Sequence, residues 1–143
     1  LDFRDVEVVT ASWVNAALMP LMQWAANEQT DLFPLIANLS DEDLDEFRLV
    51  AEQSGQCFLV VKRGRPMKAA NLIGSLDAKQ LETLESVLAK PGITGAKLAS
   101  HETKATAWNN RLKDLFLRRL LRREKRGREH VYWPLIAEII LDG

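Results

Sequence analysis

Apolar residues in the first 61 positions follow two different patterns. Val6–Thr10, Leu32–Ala37 and Cys57–Val61 are short, largely apolar runs with the length of β-strands. Residues 12–24 and 41–54 instead repeat their apolar side chains every three to four positions, as the buried stripe of a helix does. The alternation of strand, helix, strand, helix and strand predicts a small parallel or mixed α/β layer.

Serine, glycine and proline mark the expected ends of these elements. Ser12 and Ser40 are predicted N-caps, because a serine hydroxyl accepts a hydrogen bond from the free amides of a first helical turn. Gly55 is expected to end the second helix. Pro20 lacks an amide donor and crowds the preceding turn, so it should kink or interrupt the first helix. Pro34 favours an edge strand or a late strand start. The second helix should bury Leu44, Phe47, Val50 and Ala51.

From residue 77 onward, helical patterns give way to a basic hairpin. Asp77 is a predicted cap for a helix that Pro91-Gly92 ends, and a short helix is expected around Leu98-Ala99. Thr103 is the predicted cap of a third helix. A hairpin over residues 122–131 follows, with a glycine near its tip. The third helix should bury Ala105, Trp108, Leu112, Leu115 and Phe116.

Glycine and proline also punctuate residues 62–75, which we expect to join two domains. The predicted division is an α/β domain over residues 1–66 and a second domain over residues 67–143. Because the chain begins with Leu1, we expect further residues to precede the first domain in the natural protein.

Composition is that of a soluble globular protein. The 143 residues are 47% hydrophobic and 27% charged. No apolar run approaches the roughly 20 residues that span a bilayer, and no signal peptide is visible, so we expect no membrane association. Cys57 is the only cysteine, which rules out a disulfide within the chain and favours the reducing cytoplasm. We expect its thiol to be buried and inert.

The net charge of −1 conceals a strong asymmetry. Residues 1–76 carry −5, residues 77–103 carry −1 and residues 104–143 carry +5. Between Lys104 and Arg128 there are ten Lys/Arg and two acids. A helix that can enter a groove, beside a cationic hairpin, is suited to holding a polyanion.

The second domain resembles the winged helix-turn-helix of bacterial transcription regulators. The matching segments are Leu81–Leu88, Leu98-Ala99, Thr106–Leu112, Leu121–Arg123 and Gly127–Pro134. The resemblance implies a recognition helix, from Lys104 to about Leu117, in the major groove of double-stranded DNA. It also implies that the hairpin lies along phosphates or in the minor groove.

Individual contacts follow from this resemblance. Asn109 and Asn110 carry the amides that pair with adenine, and Thr106 can meet a thymine methyl. Lys104 belongs to the same DNA-binding set, and we expect Trp108 to lie in the core. The basic residues implied to meet mainly phosphates are Arg111, Lys113, Arg122, Arg123, Lys125, Arg126 and Arg128.

One position departs from the family pattern. Winged helices usually have glycine after the recognition helix, where the chain turns left-handed, whereas this sequence has Arg118–Leu120. A residue other than glycine costs roughly 1 kcal/mol in that conformation, so we expect a different turn. The alternative for the whole domain is a protein-docking winged helix with a solvated basic face.

Leu1–Trp13 resembles the start of a STAS-like domain, the α/β fold of anti-anti-sigma factors and related sensors. The resemblance implies that a strand or two precede Leu1. The resemblance also suggests Ser12, the serine at the helix start, as a phosphorylation site. However, Thr10 and Trp13 replace the Asp and Gly that flank the family's serine. A plain helix cap therefore remains the favoured interpretation of Ser12, and likewise of Ser40.

Lys62–Lys68 resembles an AT-hook, an extended Arg-Gly-Arg-Pro element that binds the narrow minor groove of A·T-rich DNA. The resemblance implies minor-groove contacts from Arg63 and Arg65, where the negative potential is deepest. A basic interdomain loop explains the same residues equally well.

The sequence favours no enzyme, cofactor or metal. His101 and His130 lack partners at metal-ligand spacing, and one cysteine cannot complete a zinc site. No glycine-rich phosphate loop is present. The acids of Asp41–Glu46 lie together at a helix start, which is typical of a solvated face.

The sequence therefore predicts a DNA-binding transcriptional regulator whose STAS-like domain senses an unknown ligand or binds a protein partner. Such regulators usually act as dimers on paired half-sites, so a homodimer is expected. The apolar tail, 135–141, could pair with another chain or pack on the winged-helix core. The main alternative is a protein-interaction adaptor. A single-strand nucleic-acid protein would need Tyr132 or Trp133 exposed beside the basic patch, but we expect both to lie in the core.

Overall fold

The computed structural model describes residues 1–62 and 69–141 and has the mixed α/β content expected from the sequence. The chain forms two compact units: unit 1, Leu1–Ser75 with Ile136–Gly143, and unit 2, Leu76–Leu135. This division differs from the predicted boundary after residue 66, because residues 69–75 and 136–141 contribute to unit 1.

Within the described residues, unit 1 contains a mixed sheet of four strands, β1 (Ile36–Ala37), β2 (Phe58–Val61), β3 (Ala69–Ile73) and β6 (Glu138–Leu141). They lie in the order β1-β2-β3-β6 across the sheet. β1 and β2 are parallel, β2 and β3 are antiparallel, and β3 and β6 are parallel. The helical segments are α1 (Ala11–Trp13), a π-helical stretch (Val14–Leu18), α2 (Met19–Ala25) and α3 (Asp41–Ser54).

The predicted first strand, Val6–Thr10, is wrong. Within this segment, the amide of Val6 donates to the carbonyl of Phe3 at 3.1 Å, and the amide of Val9 donates to Asp43 Oδ1 of α3 at 2.9 Å. Directly after it, the amide of Ala11 donates to Glu46 Oε2 at 2.6 Å. Only Val9 of the three valines there is buried. Asp43 is buried as well, so the prediction of a wholly solvated acidic face for residues 41–46 is also wrong.

Strand-like pairing occurs a few residues earlier. Ala37 donates to the carbonyl of Leu1 at 2.8 Å, and Phe3 donates to the carbonyl of Ala37 at 2.9 Å. A parallel bridge joins Asp2 to Ala37. Residues 1–3 therefore cover part of the outer edge of β1.

Helix caps are confirmed at Ser40, whose hydroxyl accepts from the amide of Asp43, and corrected at Ser12. Thr10 caps α1 by accepting from the amide of Trp13, so Ser12 lies inside the first turn. The interruption expected from Pro20 is confirmed. The stretch before it widens to π-helical pairing, which accommodates a residue that cannot donate an amide hydrogen bond.

The core of unit 1 forms where the helices pack on the sheet. Phe47 contacts Phe3 and Phe58 edge to face, with ring centroids 5.9 and 5.1 Å apart. Val50 and Ala51 are buried as predicted, and Leu44 is partly buried. Gly55 ends α3 in the left-handed conformation, as expected.

Residues 62–75 were predicted to be a junction, but 69–73 form β3, an interior strand of the described sheet. Ala70, Leu72 and Ile73 are buried. The proposed AT-hook arginines, Arg63 and Arg65, lie outside the described residues.

Most of the tail, from residue 136 onward, belongs to unit 1 and not to unit 2. Its residues 138–141 form β6, which runs parallel to β3 with Ala69 opposite Glu138 and Leu72 opposite Leu141. Unit 2 is therefore the connection between two adjacent parallel strands of unit 1.

Unit 2 is described throughout and consists of helices followed by a hairpin. Asp77 caps its first helix, as the sequence predicted, and it forms a reciprocal capping box with Gln80, which was not predicted. The predicted cap at Thr103 is wrong by one residue, since Lys104 occupies the cap position without a side-chain hydrogen bond. The elements are α4 (Ala78–Ala89), α5 (Gly95–Leu98), α6 (Ala105–Leu117), β4 (Leu121–Arg126) and β5 (Glu129–Pro134).

A backbone bridge adds a third chain segment to the hairpin. Ile93, between α4 and α5, exchanges hydrogen bonds with Tyr132 of β5 at 2.9 and 3.2 Å. The core beneath includes Leu84, Leu112, Leu115, Leu120 and Leu121. Among the described residues, no helix is long and apolar enough to cross a membrane.

Candidate nucleic-acid interface

The helix α6 has one buried side and one polar, exposed side. Trp108, Leu112, Leu115 and Phe116 are buried, as the helical spacing predicted, whereas Ala105 is only partly buried. The exposed residues fall on the opposite side, because positions three, four and seven apart share a helix face. They are Thr106, Asn109, Asn110 and Lys113, and the exposed Lys104 precedes them.

Asn109 is constrained by the neighbouring helix. A Cβ added to Gly95 of α5 would overlap the side-chain amide of Asn109 and would lie 3.1 Å from its backbone nitrogen. The glycine therefore allows α5 and α6 to approach closely at this point. Asn110, one position further along α6, is exposed on the same polar side of the helix.

Arg111 points toward α4 and not outward with the polar face. Its guanidinium forms an ion pair with Glu82 at 3.3 Å and lies 4.9 Å from the centroid of the Trp108 ring. Only 20% of its side chain is exposed. A second link between the same helices joins Gln80 to Asp114 at 3.0 Å. Arg111, which was predicted to contact phosphate, therefore links α6 to α4 in this structure.

The left-handed turn after α6 is present without glycine. Arg119 has φ 61° and is 2% exposed, and the following amide, from Leu120, donates to Leu115 at 3.0 Å. The guanidinium of Arg119 lies 4.7 Å from the centroid of Phe116. The expectation of a different turn is therefore wrong, because a buried arginine adopts the conformation usually given to glycine.

Side chains of the hairpin divide between two faces. Residues directly opposite each other in an antiparallel pair share a face. Arg123 is opposite Tyr132 and packs inward, with its guanidinium 4.1 Å from the centroid of Phe116. Tyr132 itself is buried and cannot stack on a nucleic-acid base.

The other hairpin face combines arginines with an aromatic ring. Arg122 is opposite Trp133, and Arg126 lies four residues further along the same strand. The guanidinium carbons of both arginines lie 5.2 Å from the centroid of Trp133. Trp133 is half-buried, so the ring remains partly accessible. The sequence predicted a core position for Trp133 and did not predict its contact with two arginines, for which its place opposite an arginine in a hairpin was the available signal.

The tip of the hairpin is open and basic. Arg126 pairs with Glu129, which leaves Gly127 and Arg128 as a two-residue loop. Gly127 has φ 63°, the conformation that a glycine at the first position of a type II′ turn supplies. Lys125, Arg126 and Arg128 are all exposed.

Charge is separated between the two units. Unit 2 has 13 Lys/Arg and 7 Asp/Glu, a net charge of +6, whereas unit 1 has 6 Lys/Arg and 13 Asp/Glu, a net charge of −7. An excess of this size within 60 residues attracts polyanions and is screened by salt.

Unit 1 has a shallow cavity of about 380 Å³. It lies where the parallel strands β1 and β2 end and α3 begins, the part of an α/β sheet where ligands commonly bind. Its lining residues are Phe3, Arg4, Val6, Asn38, Leu39, Ser40, Asp43 and Lys62.

Across residues 1–62 and 69–141, no group of three or more His, Cys, Asp or Glu side chains could hold a metal ion. Cys57 is buried, in agreement with the expectation of an inaccessible thiol. Comparisons of the chain with protein-family models, with curated proteins and with solved structures find no match.

Proposed function

We propose that this protein is a DNA-binding transcriptional regulator in which unit 2 acts as a winged helix and unit 1 as a STAS-like sensor or interaction module. One observation carries the proposal. The exposed polar face of α6 and a hairpin with open basic residues belong to the same +6 unit. That combination is suited to bases in the major groove and to the flanking phosphates.

The order of elements in unit 2 supports a winged helix. α4 is followed by the short bridge at Ile93, then by α5 and α6, and finally by the β4-β5 hairpin, whose strand β5 pairs with Ile93. In a winged helix of this order, α6 is the recognition helix and the hairpin is the wing. The close approach of α5 and α6 at Gly95 is what a helix-turn-helix pair requires.

The geometry refines the roles of the candidate residues. Thr106 and Asn110 contact bases from the exposed face of α6, and Asn109 contributes mainly to packing against α5. Lys113 contacts phosphate beside them. Arg111 and Arg123 support the domain through Trp108 and Phe116. The remaining phosphate contacts come from Lys104, Arg122, Lys125, Arg126 and Arg128.

The sensor role rests on the cavity of unit 1. Its position at the ends of β1 and β2 gives a small ligand access to the start of α3. The chain acts as a homodimer on paired half-sites, since dimers are the usual form in which winged helices reach specific affinity.

The test is binding to a pool of random-sequence DNA duplexes, measured by fluorescence anisotropy at low and near-physiological salt. Specific regulators enrich one motif, and their affinity falls steeply with salt. The double variant Asn110→Ala/Arg128→Ala should abolish the enrichment and weaken binding. Arg48→Ala, which removes one positive charge from the exposed face of α3, is the control and should bind as the unmodified protein does.

Two other outcomes would redirect the assignment. Binding without an enriched motif would indicate an architectural protein that contacts the backbone of any duplex. Absence of binding at low salt would exclude DNA recognition by this chain and favour a protein-docking role for unit 2.

A further inference from the structure

We propose that Trp133 is a positioning residue that holds Arg122 and Arg126 together as a clamp for the phosphates of duplex DNA. The inference rests on the proposed function and adds to it a residue that contacts no DNA base. It is carried by the geometry of the hairpin face that Trp133 shares with the two arginines.

The two arginines start far apart along the same strand. They are four positions apart in a β-strand, which places their Cα atoms roughly 13 Å apart. Both guanidinium groups nevertheless lie 5.2 Å from the centroid of one indole ring. The two side chains therefore converge on Trp133. The distance between their guanidinium carbons is at most twice the 5.2 Å that separates each from the ring centroid.

The indole has the properties needed to hold two cations. Tryptophan attracts a guanidinium group more strongly than other aromatic side chains do, because its ring face is the most negative. Gly92 lies close to the same ring, since a Cβ at Gly92 would be only 3.3 Å from the indole nitrogen. Gly92, with φ 81°, lets the loop before Ile93 approach the ring closely.

Neighbouring acids compete for one of the arginines. Glu124 lies on the same hairpin face and contacts Arg126 at 3.5 Å, with both side chains 61% exposed. Glu129 is opposite Arg126. Such exposed contacts are weak, so a phosphate can displace them. Replacing Glu124 by Gln should therefore strengthen DNA binding, because the arginine no longer has to leave an ion pair.

The experiment measures duplex affinity as a function of salt concentration for three proteins. Trp133→Phe keeps an aromatic face, Trp133→Leu removes it, and the third is the unmodified protein. We expect Trp133→Leu to lose about 5- to 30-fold in affinity and to show a shallower salt slope, while Trp133→Phe keeps most of both. Thermal unfolding of each variant establishes that it is folded under the conditions of the measurement.

A second variant keeps the test decisive if Trp133→Leu does not fold. Arg122→Lys/Arg126→Lys retains both charges at exposed positions but lacks the planar group that stacks on the ring. We expect it to lose a similar factor in affinity. In that background, Trp133→Leu should have a smaller effect than in the unmodified protein, because lysine keeps its charge but loses the planar stacking on the ring.

The outcomes separate this inference from the proposed function. If the unmodified protein binds no duplex, the proposed function fails, and the clamp fails with it. If it binds, but Trp133→Leu and the lysine variant keep its affinity and salt slope, only the clamp is overturned. The clamp would also be overturned if Trp133→Leu lost more affinity for a single strand than for a duplex of the same length. That result would indicate that a base stacks on Trp133.

Discussion

The carboxylate of Asp43 accepts a hydrogen bond from the backbone amide of Val9 inside the core of unit 1, at 2.9 Å. Both residues are buried. A side chain on α3 thus satisfies an amide that would otherwise need a partner strand, and residues 6–10 stay irregular although their sequence favours a strand.

This bond predicts the cost of removing the carboxylate. Asp43→Ala should lower the free energy of unfolding by about 1–3 kcal/mol, because the amide of Val9 is left buried without an acceptor. Asp43→Asn keeps a side-chain oxygen and should cost less. Glu42→Ala is the matched control, since it removes an exposed acid from the same helical turn. Chemical denaturation measures all three, and equal losses for Asp43→Ala and Glu42→Ala would contradict the assignment.

The turn after α6 permits a comparison of two substitutions at one position. Arg119→Ala and Arg119→Gly both remove the guanidinium from the ring of Phe116. Only alanine keeps a Cβ at φ 61°, which costs about 1 kcal/mol in the left-handed region. Arg119→Gly should therefore be the more stable variant by about that amount in equilibrium unfolding. The reverse order would show that the conformation is not a source of strain.

Gly74 and Gly127 predict different costs for the same change to alanine. A Cβ at Gly74 would lie 2.9 Å from the backbone oxygen of Gln56 and 3.1 Å from Cys57 Sγ, and φ is 109°. Gly127 has φ 63° and open space around it. Gly74→Ala should cost about 3 kcal/mol, because strain and overlap add, whereas Gly127→Ala should cost about 1 kcal/mol. Thermal or denaturant unfolding distinguishes them, and similar costs would argue against the close packing at Gly74.

Two neighbouring residues on α6 should affect DNA binding in different ways. Asn110→Ala should relax the preference at one base position by about 1–3 kcal/mol, because an amide can pair with a base edge. Lys113→Ala should weaken all duplexes alike and reduce the salt slope by about one unit. Selection from a random pool, followed by salt titration of the enriched and a scrambled duplex, separates the two effects. A loss of base preference in Lys113→Ala would reverse the assigned roles.

Local chemistry predicted much of the fold. Ser40 and Asp77 cap their helices because each side chain can satisfy amides that its own helix leaves free, a property legible from a few residues. The buried stripe of α6 follows from helical spacing alone. The outward positions of Thr106, Asn110 and Lys113 follow for the same reason.

Long-range partners could not be inferred in this way. Val6–Thr10 has strand-forming residues, but Asp43 accepts from its Val9 amide, and Glu46 accepts from the next residue, Ala11, each from more than 30 positions away. β3 was not predicted, because the glycines and proline around it suggested a linker. The pairing of β3 with β6 joins segments 69 residues apart, and no local pattern specifies such a pairing. Trp133 was predicted to lie in the core for a similar reason. Its contacts with two arginines depend on the register of the hairpin strands, which the local sequence does not specify.

The insertion of unit 2 between β3 and β6 has a consequence for synthesis on the ribosome. β6 is translated only after all of unit 2, so the sheet of unit 1 lacks this strand while unit 2 is already able to fold. During that interval the hydrogen-bonding groups of β3 that later pair with β6 are open to other strands. The nascent chain is therefore most exposed to misassociation at the edge of β3, and a slower emergence of residues 136–141 should increase aggregation without changing the stability of the finished protein.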